Sequence, residues 1–322
     1  MQKNKKAIII SGATCTGKTD ASLLIAKELS NYKFEIINFD SLLFYKEVNI
    51  GTAKPSSAEL KAVKHHLINI NSISNEINAN IFIEKASEKL YELAENEVIP
   101  ILVGGSTFYL RALMKGMYES ETITDHVKSF FKEIYDSKGI SEIIEYLKVN
   151  DPESLKTLHE NDHYRLIRAA EHFKQTGQKI SKQKEMFDAE NPYDFSKHIH
   201  TNFDFLHLSM TIEKEQHWKL MEKRASKMIQ SGLIEEVNAL LEQGFSGDEK
   251  PLQSIGYKET IQYINGDISD EAELAERIYI NTRRLAKSQK TFLKKVTPKN
   301  EFSFLTQQDD ILESVNQFLN NN

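Results

Sequence analysis

Residues 12–19, Gly-Ala-Thr-Cys-Thr-Gly-Lys-Thr, fit the pattern G-x-x-x-x-G-K-[ST] without a gap. Glycines at the first and sixth positions let the backbone curl until its N–H groups converge. Lys18 adds a point charge and Thr19 a hydroxyl suited to Mg²⁺. Such a set takes a condensed phosphate, with Gly12, Ala13, Thr14, Cys15, Thr16, Gly17, Lys18 and Thr19 as the binding residues. Cys15 reads as a tolerated small residue rather than a nucleophile, because no histidine lies near it in sequence, although a helix N-terminus lowers a thiol pKa. Asp40 closes the segment "FEIINFDS" and reads either as a helix cap or as a site residue. Beside a phosphate loop it becomes a carboxylate placed to act as base on an acceptor next to the bound anion. A nucleotide hydrolase or motor would also need a strand that ends in an acid, and "VIPILVGGS" (98–106) ends in glycines and serine.

The surrounding elements are those that such groups require. A β-branched run at 7–10 precedes the loop, and "DASLLIAKEL" follows it with helical spacing. "FEIINFD" (34–40) predicts a second strand, "ANIFIEKASEKLYELAENE" (79–97) an amphipathic helix, and "VIPILVGG" (98–105) a third buried strand before another helix in "STFYLRALMKGM". This alternation predicts an α/β fold, a parallel sheet of the P-loop type with helices on both faces. Ligands of such sheets sit at the carboxyl ends of the strands, where both the loop and Asp40 fall. From about residue 118 the periodicity turns wholly helical, and "TNFDFLHLSM" (201–210) returns to strand-like alternation. The expected organisation is a core of residues 1–117 and 199–322, interrupted by an all-helical insertion at 118–198. The C-terminal "LNNN" is expected to fray.

Composition narrows the class. With 322 residues, 40% hydrophobic and 27% charged, the chain reads as a soluble globular protein of two domains, or of one domain with a large insertion. No apolar run approaches the roughly 18 residues that a membrane helix needs. The basic start "MQKNKKAIII" leads into an apolar run of only four residues, which reads as a first strand rather than a signal peptide. A single cysteine argues against a disulfide framework or a Cys-rich zinc site and points to a reducing cytoplasm. Net charge is −6, yet Arg277, Arg283, Arg284, Lys287, Lys290, Lys294, Lys295 and Lys299 follow one another with no acid between them. An acidic chain with one concentrated basic stretch suggests a local polyanion partner. Within it, Arg284, Lys287, Lys290 or Thr291, and Lys294 recur at spacings of three and four, as on one helical face.

Further segments carry a resemblance. "NFDSLLFYKEVNIGTAKP" (38–55), "HHLINI" (65–70), "ILVGGSTFYLRAL" (101–113), "NDHYRLIRAAE" (161–171), "SGLIEEV" (231–237) and "QSIGYKE" (253–259) together resemble the tRNA dimethylallyltransferase (isopentenyltransferase) family, in order, across residues 7 to about 295. The resemblance implies transfer of a dimethylallyl group from dimethylallyl diphosphate to N6 of the adenosine 3′ of the anticodon in tRNA. It implies Mg²⁺ as cofactor, bridging the diphosphate at Thr19, and a monomer with no membrane partner. The cradled group would then be an isoprenoid diphosphate that leaves as pyrophosphate, so no hydrolytic acid is needed. It implies catalytic roles for Asp40, Lys18 and Thr14, and a further cation from Arg224. It also implies contacts to the anticodon stem-loop from Asp40, Ser41, Leu42, Leu43, Ser106 and Arg111, and, in the insertion, from Asn161, Asp162, His163, Tyr164, Arg165 and Arg168. Gln253, Ser254, Ile255, Gly256, Tyr257, Lys258, Arg284 and Lys287 complete that set. His65 and His66 lack companion metal ligands and are expected to be structural or to touch RNA.

The chain departs from the family pattern at Leu43 and Tyr164, each in place of a usual Gln, at Ala13 for Pro, at Ser106 for Thr, and at Ser288 for Arg. Most of these fall on the RNA side, which leaves a paralogue with altered or weakened tRNA activity open. A P-loop kinase of a small metabolite and a non-catalytic RNA-binding protein are the remaining alternatives.

Overall fold

The computed structural model describes residues 4–75, 77–117, 123–187 and 190–321. They fall into two compact units, one of Met1–Gly116 with Tyr193–Asn322 and one of Met117–Pro192. The larger unit begins with β1 (Lys5–Gly12), α1 (Lys18–Glu28), β2 (Phe34–Asn38), α2 (Ser57–Ala62), β3 (His65–His66), α3 (Ala79–Glu95), β4 (Ile99–Gly104) and α4 (Thr107–Lys115). The smaller unit is helical: α5 (Asp125–Lys138), α6 (Ile140–Asn150), α7 (Pro152–Thr157), α8 (His163–Thr176) and α9 (Ile180–Phe187). The larger unit resumes with β5 (Phe203–Met210), α10 (Lys214–Gln230), α11 (Leu233–Glu242), α12 (Tyr257–Ile264), α13 (Glu271–Leu293), β6 (Asn300–Phe302) and α14 (Gln308–Asn320).

The sheet runs β3-β2-β4-β1-β5-β6, and all of its paired strands are parallel. Side chains alternate across a strand, so the run Ala7-Ile8-Ile9-Ile10 serves two cores at once. Ala7 and Ile9, with Ile37 and Leu102, join a cluster that takes in Phe82, Leu110, Val237 and Ile278. Ile8 and Ile10, with Ile36, Ile101 and Val103, pack with Ala21 and Ile25 of α1 and Ile311 and Val315 of α14. Burial on both faces is why these strands read as continuous apolar runs rather than as alternation. Among the described residues no helix is long and apolar enough to cross a membrane.

Several details differ from the sequence reading. The second strand stops at Asn38, and "VIPILVGG" is the fourth strand in chain order because His65–His66 adds a short parallel edge to β2. Residues 319–321 are anchored rather than frayed, and Asn322 lies outside the described residues: α14 reaches Asn320, and Lys6 Nζ donates to the carbonyls of Phe318 (2.8 Å), Leu319 (2.9 Å) and Asn321 (2.5 Å). Residues 193–198 were expected in the insertion. They belong to the larger unit, where Phe195 N donates to Thr297 O and Thr297 N to Tyr193 O. In the smaller unit Val127, Phe131, Ile143, Leu147 and Leu166 form a separate core. Asp151, fully buried there, accepts from Ser154 Oγ and from Ser181 N and Oγ, which fastens α9 to α7.

The segments "IGTAKP" and "SIGYKE" meet in the larger unit. A Cβ on Gly51 would lie 2.4 Å from the Tyr257 ring, so only glycine fits there. The Tyr257 hydroxyl donates to Glu236 Oε1 at 2.5 Å and accepts from Gly51 N at 3.2 Å, while Glu236 also takes the N–H groups of Asn49 and Ile50. Tyr257→Phe removes one buried donor and strands Gly51 N–H. Urea denaturation should show a loss of about 1–3 kcal/mol; a change below a few tenths of a kcal/mol would show that the network does not hold this loop.

Candidate active site

The loop after β1 closes on itself. Gly12 has no room for a side chain, since a Cβ would sit 2.5 Å from Thr16 Oγ1 and 2.8 Å from the Met210 carbonyl. Gly17 takes the left-handed conformation (φ 84°) from which α1 starts, with Phe304 packed against its α-carbon. Thr16 Oγ1 and Lys18 Nζ both donate to the Ala13 carbonyl at 2.8 Å. The N-terminus of α1 therefore faces the same space as Lys18, an arrangement that favours an anion.

Asp40 is a cap and a site residue at once. Its carboxylate accepts from Leu42 N at 3.3 Å and caps the 3₁₀ turn Ser41–Phe44. Buried Asn38 holds its backbone: Asp40 N donates to Asn38 Oδ1 (2.9 Å), and Asn38 Nδ2 donates to the carbonyls of Asp40 and Leu67 (3.0 Å each). Ser106, following the β4 glycines, accepts from Ser41 N at 3.1 Å. Arg224 on α10 reaches the loop from the other side, with Nη2 3.5 Å from the Thr52 carbonyl and Nη1 3.8 Å from Cys15 Sγ.

These groups line one cavity of about 560 Å³. Thr14, Lys18, Thr19, Asp40 and Arg224 make its polar end, and Leu42, Leu43, Phe108, Met228, Ile255 and Leu285 contribute apolar surface. Burial pulls the Lys18 ammonium down to about 8; Asp40 opposes that shift, and Arg224 adds to it. An anion bound beside Lys18 would raise its proton affinity again.

The sequence-predicted residues do not all come together. Ser41, Leu42, Leu43, Ser106, Gln253, Ser254 and Ile255 line the cavity with the phosphate loop. Gly256 and Tyr257 are buried in the larger unit's packing, and Lys258 is exposed on α12. Arg284 and Lys287 line a second, open depression of about 420 Å³ with Tyr193, Thr291, Phe292 and Lys295. Arg111 lies over the Tyr193 ring at 6.0 Å. Of the face expected on α13, Arg284, Lys287 and Thr291 line that depression together; elsewhere on the helix Arg283 stacks on Trp218 at 4.0 Å, Arg277 pairs with Glu273, and Lys290 feels Glu213. Asn161, Asp162, His163, Tyr164, Arg165 and Arg168 belong to the smaller unit. There Asp162 caps α8 and pairs with Arg165 at 3.1 Å, His163 meets Tyr135 Oη at 2.8 Å, and Arg168 pairs with Glu171 at 3.5 Å.

Three residues of the site escaped sequence reasoning: Asn38, His217 and Gln289. His217 donates to the Thr14 carbonyl at 2.7 Å, and Gln289 Oε1 accepts from Thr14 N at 2.9 Å. Both lie on apolar helical stripes, His217 with Met221 and Met228, and Gln289 with Ala286 and Leu293. A polar residue at an inward position of that kind must find a partner, and this was the available signal.

The fold and the cavity define a P-loop-like α/β protein whose phosphate-loop motif lies beside a carboxylate, with glycines at the end of β4. Residues 43–296 match the family model of IPP transferase. The chain is 35% identical to tRNA dimethylallyltransferase 1 of Citrifermentans bemidjiense, over 91% of this chain and 90% of that one. It is 34% identical to tRNA dimethylallyltransferase 2 of Geotalea uraniireducens over 90% and 89%. Among solved structures, the tRNA delta(2)-isopentenylpyrophosphate transferase of Staphylococcus epidermidis superposes with a TM-score of 0.66 at 28% identity, covering 98% and 99% of the two chains. This protein belongs to the IPP transferase family.

The Lys18 shift gives a pH dependence with a definite sign. In the free protein Lys18 is charged below pH about 8, and in an anion complex its pKa rises, so binding above that pH must take up a proton. The affinity for an alkyl diphosphate, whose own last proton leaves near pH ~6, should be flat from there up to pH about 8. Above it, calorimetry should show a fall of up to about tenfold per pH unit. Lys18→Arg, with a fixed charge, should abolish the fall; the same fall in that variant would remove Lys18 from the anion site.

Proposed function

We propose that this protein transfers a dimethylallyl group from dimethylallyl diphosphate to N6 of the adenosine 3′-adjacent to the anticodon in tRNA, releasing pyrophosphate. The observation that carries this reading is one cavity that joins the phosphate loop, Asp40 and an apolar wall, in a chain of the IPP transferase family. The diphosphate rests on Lys18, Thr19 and the N-terminus of α1, with Arg224 beside Cys15, and the hydrocarbon lies toward the apolar surface. The allylic C1–O bond breaks with its electron pair leaving on pyrophosphate, where Lys18 and the loop N–H groups meet the developing charge. The adenine N6 lone pair forms the new bond to C1, and the N6 proton passes to the Asp40 carboxylate. Asn38 and the 3₁₀ turn keep that carboxylate at the rim of the cavity.

Among the described residues no group of three or more His, Cys, Asp or Glu could hold a metal ion. A Mg²⁺ ion would be held by the Thr19 hydroxyl together with the bound diphosphate, and would supply further charge neutralisation. The target base must leave its stack to enter the cavity. The α5–α9 unit, with Arg165 and Arg168, grips the anticodon arm in this reading, and Arg284, Lys287 and Lys295 meet backbone phosphates. The protein acts as a monomer in the cytoplasm.

Mass spectrometry of nucleosides from tRNA incubated with dimethylallyl diphosphate should show a dimethylallyl-adenosine; unmodified tRNA under saturating donor would refute the activity. Asp40→Ala should bind the donor as wild type does and lower kcat by about 10²–10⁴-fold, the usual range for a positioned base. Loss of donor binding in that variant, with the fold intact, would make Asp40 a diphosphate ligand instead.

A further inference from the structure

The backbone of Thr14 is held from both sides by buried side chains of other elements. Its N–H donates to Gln289 Oε1 at 2.9 Å, and its carbonyl accepts from His217 Nε2 at 2.7 Å. Gln289 Nε2 donates in turn to the Gly105 carbonyl at 2.9 Å, so its partners fix which end of the amide faces which group. Gln289 is 8% exposed and His217 2%, and a Cβ on Gly105 would lie 2.9 Å from Gln289 Nε2. Its two hydrogen bonds hold the Gln289 amide in place.

The clamp changes what the loop offers a ligand. A phosphate loop recognises anions by aiming successive backbone N–H groups into one space. Here the Thr14 N–H is spent on a side chain of the same protein. The donors left for a ligand are grouped toward Lys18 and the start of α1. Gln289 lines the same cavity as Thr14, and the remaining lone pair of its amide oxygen would repel a phosphate oxygen brought to that position. Two phosphoryl groups can be served by Lys18, Thr19 and the helix N-terminus. A third, extended toward Thr14, would find a used donor and an acceptor in its place. Discrimination of this kind rests on a repulsive group as much as on attractive ones.

We infer that Gln289 sets the length of the phosphate chain that the loop accepts, admitting a diphosphate and rejecting a triphosphate. His217 is the positioning residue that prevents the Thr14 backbone from turning its N–H toward the ligand. This deepens the proposed function and rests on the reading of residues 12–19 as a diphosphate site.

The test is calorimetry with pyrophosphate and with tripolyphosphate, in the presence of Mg²⁺, on the full chain. Wild type should prefer pyrophosphate by about tenfold or more, the worth of one charge-assisted hydrogen bond. Gln289→Met keeps the length of the side chain but lacks the acceptor, and should reduce that preference by about tenfold. Gln289→Glu keeps an acceptor at Thr14 N–H and should retain the preference. His217→Leu should shift the ratio in the same direction as Gln289→Met, and His217→Gln, which can still donate, should restore it. Absence of the preference in wild type, its persistence in Gln289→Met, or its loss in Gln289→Glu would each overturn the inference. A protein that discriminates but modifies no tRNA would refute the proposed transfer and leave the role of Gln289 standing. One that modifies tRNA without discriminating would refute this inference alone.

Discussion

A diphosphate can leave water only where fixed donors and cations replace its hydration, and residues 12–19 are where this chain concentrates them. The architecture of the larger unit follows from that demand. β1 sits between β4 and β5, so the loop emerges at the middle of the sheet. The neighbouring strands deliver their own contributions to the same edge: Asp40 after β2, Gly105 and Ser106 after β4. α10 and α13 then supply Arg224, His217 and Gln289. Burial at that edge lowers the proton affinity of Lys18, and the Asp40 carboxylate partly offsets the shift.

The absence of an acid at the end of β4 has a chemical meaning. Phosphoryl transfer places new charge on the phosphorus being attacked and needs a metal-binding acid and an oriented nucleophile at that end of the chain. Substitution at carbon needs the phosphate group only as a leaving group, and two glycines are sufficient beside it. They allow Gly104 to pass the Phe39 ring, where a Cβ would lie 2.5 Å away, and Gly105 to lie under Gln289. The turn after β4 is thus built from glycines because Phe39 and Gln289 leave no room for a side chain there.

Much of this was legible in the sequence, because local patterns fix local structure. The loop, its strand and its helix follow from glycine spacing and a β-branched run, and Asp40 follows from its place at a strand end. The two-residue strand at His65–His66 was not legible, since so short a run has no period and is held only by pairing with Ile36 and Ile37. Nor was the seat of Arg283 on Trp218, although the spacing of Arg284 and Lys287 did place them together on the open depression. Partners distant in sequence decide such matters. The departures from the family pattern also acquire places. Leu43 lines the main cavity, Ser288 lines both cavities, and Ala13 packs in a small cluster with Met221 and Ala286. Tyr164 is exposed on α8.

The central claim is that the diphosphate departs intact, with cleavage between carbon and oxygen. Dimethylallyl diphosphate carrying a heavy-oxygen label in the bridge between C1 and phosphorus tests it in a single turnover with tRNA, with the released phosphates read by mass spectrometry. The account predicts that all of the label appears in pyrophosphate and that no orthophosphate forms. Label retained on the five-carbon fragment, or release of orthophosphate, would mean attack at phosphorus and would contradict it.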